Sequence, residues 1–145
     1  MHSPRSASKT RSNTKRDTDS AKSKEGGGFP GPLGMYSTHV RSVSAIRFLE
    51  EGSHNVRMKQ LIGREDGARK TAMHELIIGK GGYSTMHRHE WDHQLVVTEG
   101  RGIVIMDGKK IALRPGLVLL VQSNENHQFL QRGKTPLHFV TVTPL

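Results

Sequence analysis

The sequence predicts an all-β domain, an antiparallel sandwich or barrel, behind a polar N-terminal tail. Three observations carry this. From residue 35 onward, short apolar or alternating runs recur between clusters of Gly, Pro, Asn and Asp. No stretch keeps a helical period; Val43–Leu49 is too short for more than about two turns. Residues 1–34 are rich in Ser, Thr, Lys, Arg and Gly and nearly free of large apolar side chains.

The tail comes first. It cannot bury enough surface to offset the entropy of ordering it, so residues 1–34 are expected to be disordered. The run Glu25-Gly26-Gly27-Gly28-Phe29-Pro30-Gly31-Pro32 ends it with linker residues. Asp17, Asp19 and Glu25 argue against a mitochondrial presequence, which is poor in acids. The folded domain is then residues 35–145.

Ten strand-like runs follow: 39–48, 56–62, 71–78, 83–89, 94–98, 102–106, 110–113, 117–121, 128–131 and 137–143. Turns are expected at 63–67, 79–82, 99–101, 107–108, 114–116, 123–126 and 132–136. Asp107-Gly108, between two apolar runs, is a strong hairpin signal. Ile103–Met106 and Leu117–Val121 are apolar on both faces. A solvated outer face would alternate, so these strands are expected to meet a second subunit, sheet to sheet. Burial under N-terminal strands of the same chain is the alternative.

Composition narrows the function. Without cysteine there are no disulfides, no thiolate metal sites and no thiol nucleophile. No apolar run approaches the roughly 20 residues of a membrane span, and no secretory h-region is present, so a soluble cytoplasmic protein is expected. Net charge is +9, but basic and acidic residues interleave in the body, as in Arg57, Lys59, Arg64, Glu65, Asp66, Arg69 and Lys70. Without a helix-turn-helix pattern or an aromatic-interleaved basic strand, no specific nucleic-acid partner is expected.

The chemistry lies in Met86-His87-Arg88-His89-Glu90-Trp91-Asp92-His93. Residues two apart on a strand share a face, so His87 and His89 project together. Glu90-Trp91-Asp92 can turn, and His93 then opens a strand on which Leu95 and Val97 share its face. His127 opens a later strand. Three crowded imidazoles would repel one another when protonated and need partners when buried, which points to a metal ion. The isolated His2, His39, His54, His74 and His138 are read as surface or satisfied core residues.

The spacing resembles the cupin superfamily. Its first motif corresponds to Gly81, five residues, His87-Arg88-His89, three residues, His93, six residues, Gly100, with His93 in place of the usual Glu. The second corresponds to Gly116, five residues, Gln122-Ser123-Asn124, two residues, His127, three residues, Gln131. There Gln122, Asn124 and Gln131 replace Pro, Gly and Asn. The likeness covers about residues 38–144 and is greatest to small single-domain cupins that use four histidines, typically on manganese. It implies a jelly-roll β-barrel (a double-stranded β-helix), usually dimeric, with His87, His89, His93 and His127 as ligands. It favours Mn²⁺ or Fe²⁺, with Zn²⁺ as the other candidate.

Four neutral imidazoles leave a divalent site at formal charge +2, where three His and one Glu would give +1. The metal is then a stronger Lewis acid, and its higher oxidation state is harder to reach. Glu90 and Asp92 are read as solvated turn acids, with ring support as a second role. The inward pocket is expected to be apolar: Leu95, Val97, Phe129 and Phe139, with Thr141 as a small polar group. No inward Lys or Arg can be placed, so a small, mostly apolar substrate that chelates through oxygen is favoured over a phosphorylated one. Tyr83 and Trp91 are placed near the mouth in packing roles.

The first functional expectation is a metal-dependent oxidoreductase of dioxygenase type. A non-redox cyclase, lyase or isomerase is the second, and a non-catalytic metal or small-ligand binding protein the third.

Overall fold

The computed structural model describes residues 34–145, so the expected tail lies outside the described residues except for Gly34. Nine strands follow: β1 (Ile46–Arg47), β2 (His54–Ile62), β3 (Thr71–Tyr83), β4 (His93–Glu99), β5 (Arg101–Met106), β6 (Lys109–Leu113), β7 (Val118–Val121), β8 (His127–Arg132) and β9 (Leu137–Pro144). They form one antiparallel 9-stranded sheet ordered β6-β5-β8-β3-β9-β4-β7, with β2 also on β3 and β1 on β2. The sheet curls on itself into a half-barrel. Among the described residues, two short 3-10 turns accompany it, Val40–Ser42 and Arg64–Asp66.

β3 makes the curl. Its first part pairs with β2 and β9, and its last residue, Tyr83, pairs with Leu130 of β8. The turn expected at 79–82 is therefore absent. Gly79, Lys80, Gly81 and Gly82 lie within the strand and carry it from one wall to the other. Gly81 has φ +75, which suits glycine, and a Cβ on Gly82 would run into the backbone oxygen of His54.

Two other runs are shorter than expected. Of 39–48 only Ile46–Arg47 is strand, after the 3-10 turn. Of 83–89 only Tyr83 is, after which His87 makes an isolated bridge to His127. The hairpin at Asp107-Gly108 is as expected. Met106 pairs with Lys109, and φ is +47 and +83 at the two central residues, the type I′ requirement.

The inner face is the core. Val56, Ile78, Leu95, Val97, Val104, Leu113, Val121, Phe129, Leu137 and Phe139 are all buried, and Phe129 packs on Phe139 at 4.7 Å between ring centroids. Each such side chain contributes about 1.5–3 kcal/mol by leaving water.

The outer face divides. Over β2 and β3 it carries buried Ile77, Leu61 and Glu75, and Lys59 Nζ donates to Val40 O of the N-terminal segment. Over β4, β7 and β9, among the described residues, an apolar groove of about 470 Å³ stays open, lined in part by Val96, Val118, Leu120, Val140 and Val142. Of the two strands read as apolar on both faces, 117–121 leaves Val118 and Leu120 exposed on the outer face, and 103–106 has Ile103 and Ile105 half-buried.

Candidate metal centre

His87 and His127 are neighbours because their backbones bond reciprocally: His87 N donates to His127 O at 3.0 Å and His127 N to His87 O at 2.9 Å. His89 follows in the loop, tied to the turn before β8 by Asn124 N donating to His89 O at 2.7 Å. Asn124 takes φ +64 there, one of the few non-glycine residues that tolerate it. His93 opens β4 opposite Val121.

The four rings converge. Ring centroids lie 5.3 Å apart for His87–His89, 4.8 Å for His87–His127, 4.9 Å for His89–His127, 5.1 Å for His89–His93 and 5.6 Å for His93–His127. One nitrogen from each of His87, His89 and His127 falls within 4.8 Å of the others, so these three can hold one metal ion.

Partners on the far nitrogens aim the rings. His89 Nδ1 lies 2.8 Å from Trp91 O, and His127 Nδ1 2.8 Å from Glu125 O. A carbonyl only accepts, so each Nδ1 carries the proton and each Nε2 keeps its lone pair. His93 Nδ1 lies 2.9 Å from Thr141 Oγ1, whose own hydrogen is directed to Gln94 O at 3.2 Å. The hydroxyl therefore accepts from His93, and the His93 Nε2 lone pair is free as well. That Nε2 is buried and has no hydrogen-bond partner. An orphaned buried acceptor is expensive unless something binds it, which fits a cation among these rings.

Burial sets the charge state. Burial first, and then the neighbouring His89, His127 and His87 in that order, together lower the His93 pKa from an ordinary 6.5 to about 4. Burial also lowers His127, opposed chiefly by the bond to Glu125, and lowers His87, opposed by Glu50. His87, His93 and His127 are thus biased toward the neutral form that metal ligation needs.

The other expected residues fall as follows. Leu95, Val97, Phe129 and Phe139 are sealed core beneath the cluster, with Phe129 edge-on to the His127 ring at 5.9 Å. They close the floor rather than line an open pocket. Thr141 is buried too and steadies His93. Glu90 and Asp92 are exposed, and neither bonds a ring among the described residues. Trp91 stacks on His89 at 3.7 Å, nearly parallel, while remaining exposed. Glu50, in the β1–β2 loop, went unnoticed in sequence. Its Oε2 lies 3.9 Å from His87 Nδ1, and nothing in the spacing links it to the histidines.

Residues 74–143 match the Cupin_2 family, a cupin domain. The match runs from within β3 to within β9. No curated protein matches it. Among solved structures, the chain is similar to the polyketide cyclase RemF from Streptomyces resistomycificus, at 27% identity and TM-score 0.72 over 76% of this chain and 79% of that one. It is also similar in fold to a predicted oxalate decarboxylase from Thermotoga maritima (23% identity, TM-score 0.69, 76% and 99% covered). A cupin-2 domain from Rhodospirillum rubrum shares the fold too (21%, 0.65, 80% and 77%). Among the described residues, no helix is long and apolar enough to cross a membrane.

Thr141→Val keeps the shape of the side chain but removes the acceptor for His93 Nδ1–H. Loss of such an outer partner costs about tenfold or more in metal affinity. A zinc competition titration is expected to show that drop with an unchanged melting profile; an affinity equal to wild type would show that the hydroxyl does not set the ring.

Proposed function

We propose that His87, His89, His93 and His127 together hold one divalent transition metal, and that the protein is a non-redox enzyme of the cyclase, lyase or isomerase kind. The observation that carries this is the group of three imidazoles, His87, His89 and His127, with no carboxylate in it and with the buried, unpartnered Nε2 of His93 on a neighbouring ring. When bound, the metal supplies Lewis acidity to a chelating oxygen pair of the substrate. The chain's own part is to bias His87, His93 and His127 toward the neutral form, aim the lone pairs inward and exclude water from the floor with Leu95, Val97, Phe129 and Phe139. The similarity to a polyketide cyclase supports a small, oxygen-rich polyketone as the first substrate class to test.

A dioxygenase-type oxidoreductase on Mn²⁺ or Fe²⁺ is the second reading. It is favoured by the half-exposed His87 and His89, which leave one side of the cluster accessible to O₂ as well as substrate. Metal analysis of protein purified without added metal is expected to give about one ion per chain, and turnover under argon should persist after Zn²⁺ replacement. Turnover that stops without oxygen would overturn the first reading in favour of the second. Protein that neither retains nor takes up a divalent ion would end both.

We also propose a homodimer formed through the open groove over β4, β7 and β9. Val118 is 73% exposed and Leu120 44%, an apolar pair too large to leave solvated beside Val96, Val140 and Val142. Light scattering should give the mass of two chains, and Val118→Lys should give that of one. A wild-type monomer would refute the interface.

A further inference from the structure

We infer that His74 is a substrate-contacting residue of the metal centre: its ring hydrogen-bonds a substrate oxygen lying beyond the pair held at the metal. This rests on the four-histidine reading and adds a specificity determinant to it.

The register places His74 inside. Gln60 of β2 pairs with His74 of β3, His74 with Thr141 of β9, Thr141 with Leu95 of β4, and Leu95 with Leu119 of β7. Directly paired residues share a face, so these five side chains form one row across the inner wall. Thr141 in that row grips His93, which puts His74 one strand away from the residue that aims a ring of the cluster. Reading His74 as an ordinary surface or core histidine overlooks this placement, because the pairing of residues 74 and 141 is invisible in sequence.

Burial along the wall shows where ligand can enter. Val56, Ile78, Leu137 and Phe139 at the deep end are sealed, whereas Gln60, His74, Met58 and Leu119 toward the cluster are only half-buried. These inner-face side chains are therefore reachable from solvent at the cluster end. The wall is also less apolar than expected, with His74 and Gln60 set among Met58, Leu76 and Leu119.

His74 is free to bind. Its ring makes no hydrogen bond to any described residue, while its neighbours are committed: Gln60 Nε2 donates to Glu65 Oε2 at 2.8 Å. Glu65 is presented by the 3-10 turn, which Gly63 N fastens by donating to Asp66 Oδ2 at 3.0 Å. Burial lowers the His74 pKa, and the Glu65 charge opposes that. A neutral ring offers one donor and one acceptor, suited to a hydroxyl or carbonyl oxygen.

Two probes isolate the contact: 2,4-pentanedione, with only a chelating oxygen pair, and heptane-2,4,6-trione, which carries one oxygen more. Calorimetry on the zinc-loaded protein is expected to show the trione binding about tenfold more tightly, the worth of one hydrogen bond. His74→Ala should erase that preference while leaving zinc and pentanedione affinities unchanged, and His74→Gln should keep part of it. In histidine-labelled protein, the trione should shift the His74 ring resonances. A preference that survives in His74→Ala, or ring resonances that do not move, would overturn the inference alone. Failure of the wild type to bind zinc would instead remove the four-histidine reading beneath it.

Discussion

Replacing His127 by alanine is expected to lower zinc or manganese affinity by at least about a hundredfold. Loss of an outer-shell partner typically gives 10–100-fold, so removal of the ligand itself belongs at or above the upper end of that range. His127 is the most enclosed ring of the cluster, 1% exposed, and lies within 5.6 Å of each of His87, His89 and His93 between centroids. Its Nδ1 is committed to Glu125 O, so only Nε2 faces the others. Because this ring is also core, His127→Gln serves as the control that fills most of the space. Both variants should lose metal, and only the alanine variant should also lose several degrees of melting temperature. Glu50→Gln should do far less, since that carboxylate is exposed and 3.9 Å from His87, where solvent screens it. An alanine variant within threefold of wild-type affinity would show that this ring is no ligand.

The local part of this site was legible because it is a matter of chain spacing. Two histidines two apart, a third after a three-residue turn and a fourth at a strand start mark ligand candidates without knowledge of the fold. The hairpin at Asp107-Gly108 was legible for the same reason: its chemistry is contained in two residues. What depended on pairing between distant strands was not. Glycines at 79, 81 and 82 read as a turn, yet here they let one strand bend between two walls, and no local pattern separates those uses. Glu50 reaches His87, Thr141 grips His93 and His74 joins the inner row through contacts spanning tens of residues. The rings at His89 and His127 are aimed by carbonyl groups of Trp91 and Glu125, which every residue possesses and no side-chain pattern reports. The apolar pocket was inferred from alternation alone. Alternation tells inside from outside, but it cannot tell sealed floor from open wall.

Acid should unfold the metal-free protein earlier than its strands alone would dictate. His93 in the folded state protonates only near pH 4, against an ordinary 6.5 in the unfolded chain. Between those values the unfolded chain binds the extra proton, so stability rises with pH across the window and is lost as pH falls from about 6.5 toward 4. At 1.36 kcal/mol per unit, this one residue accounts for about 3 kcal/mol, a large share of a small domain's total. His127 and His87 are lowered in the same direction and add to the slope. Urea unfolding at several pH values is the measurement, with His93→Gln expected to be flatter than wild type over this range. A bound ion competes with protons for the same lone pairs. Saturating zinc should therefore raise the unfolding midpoint most near neutral pH and progressively less as acid displaces it. A wild-type curve that is flat from pH 7 to 4, metal-free, would mean that His93 is solvated rather than buried among the other rings, and the metal centre would lose its best-placed orphan nitrogen.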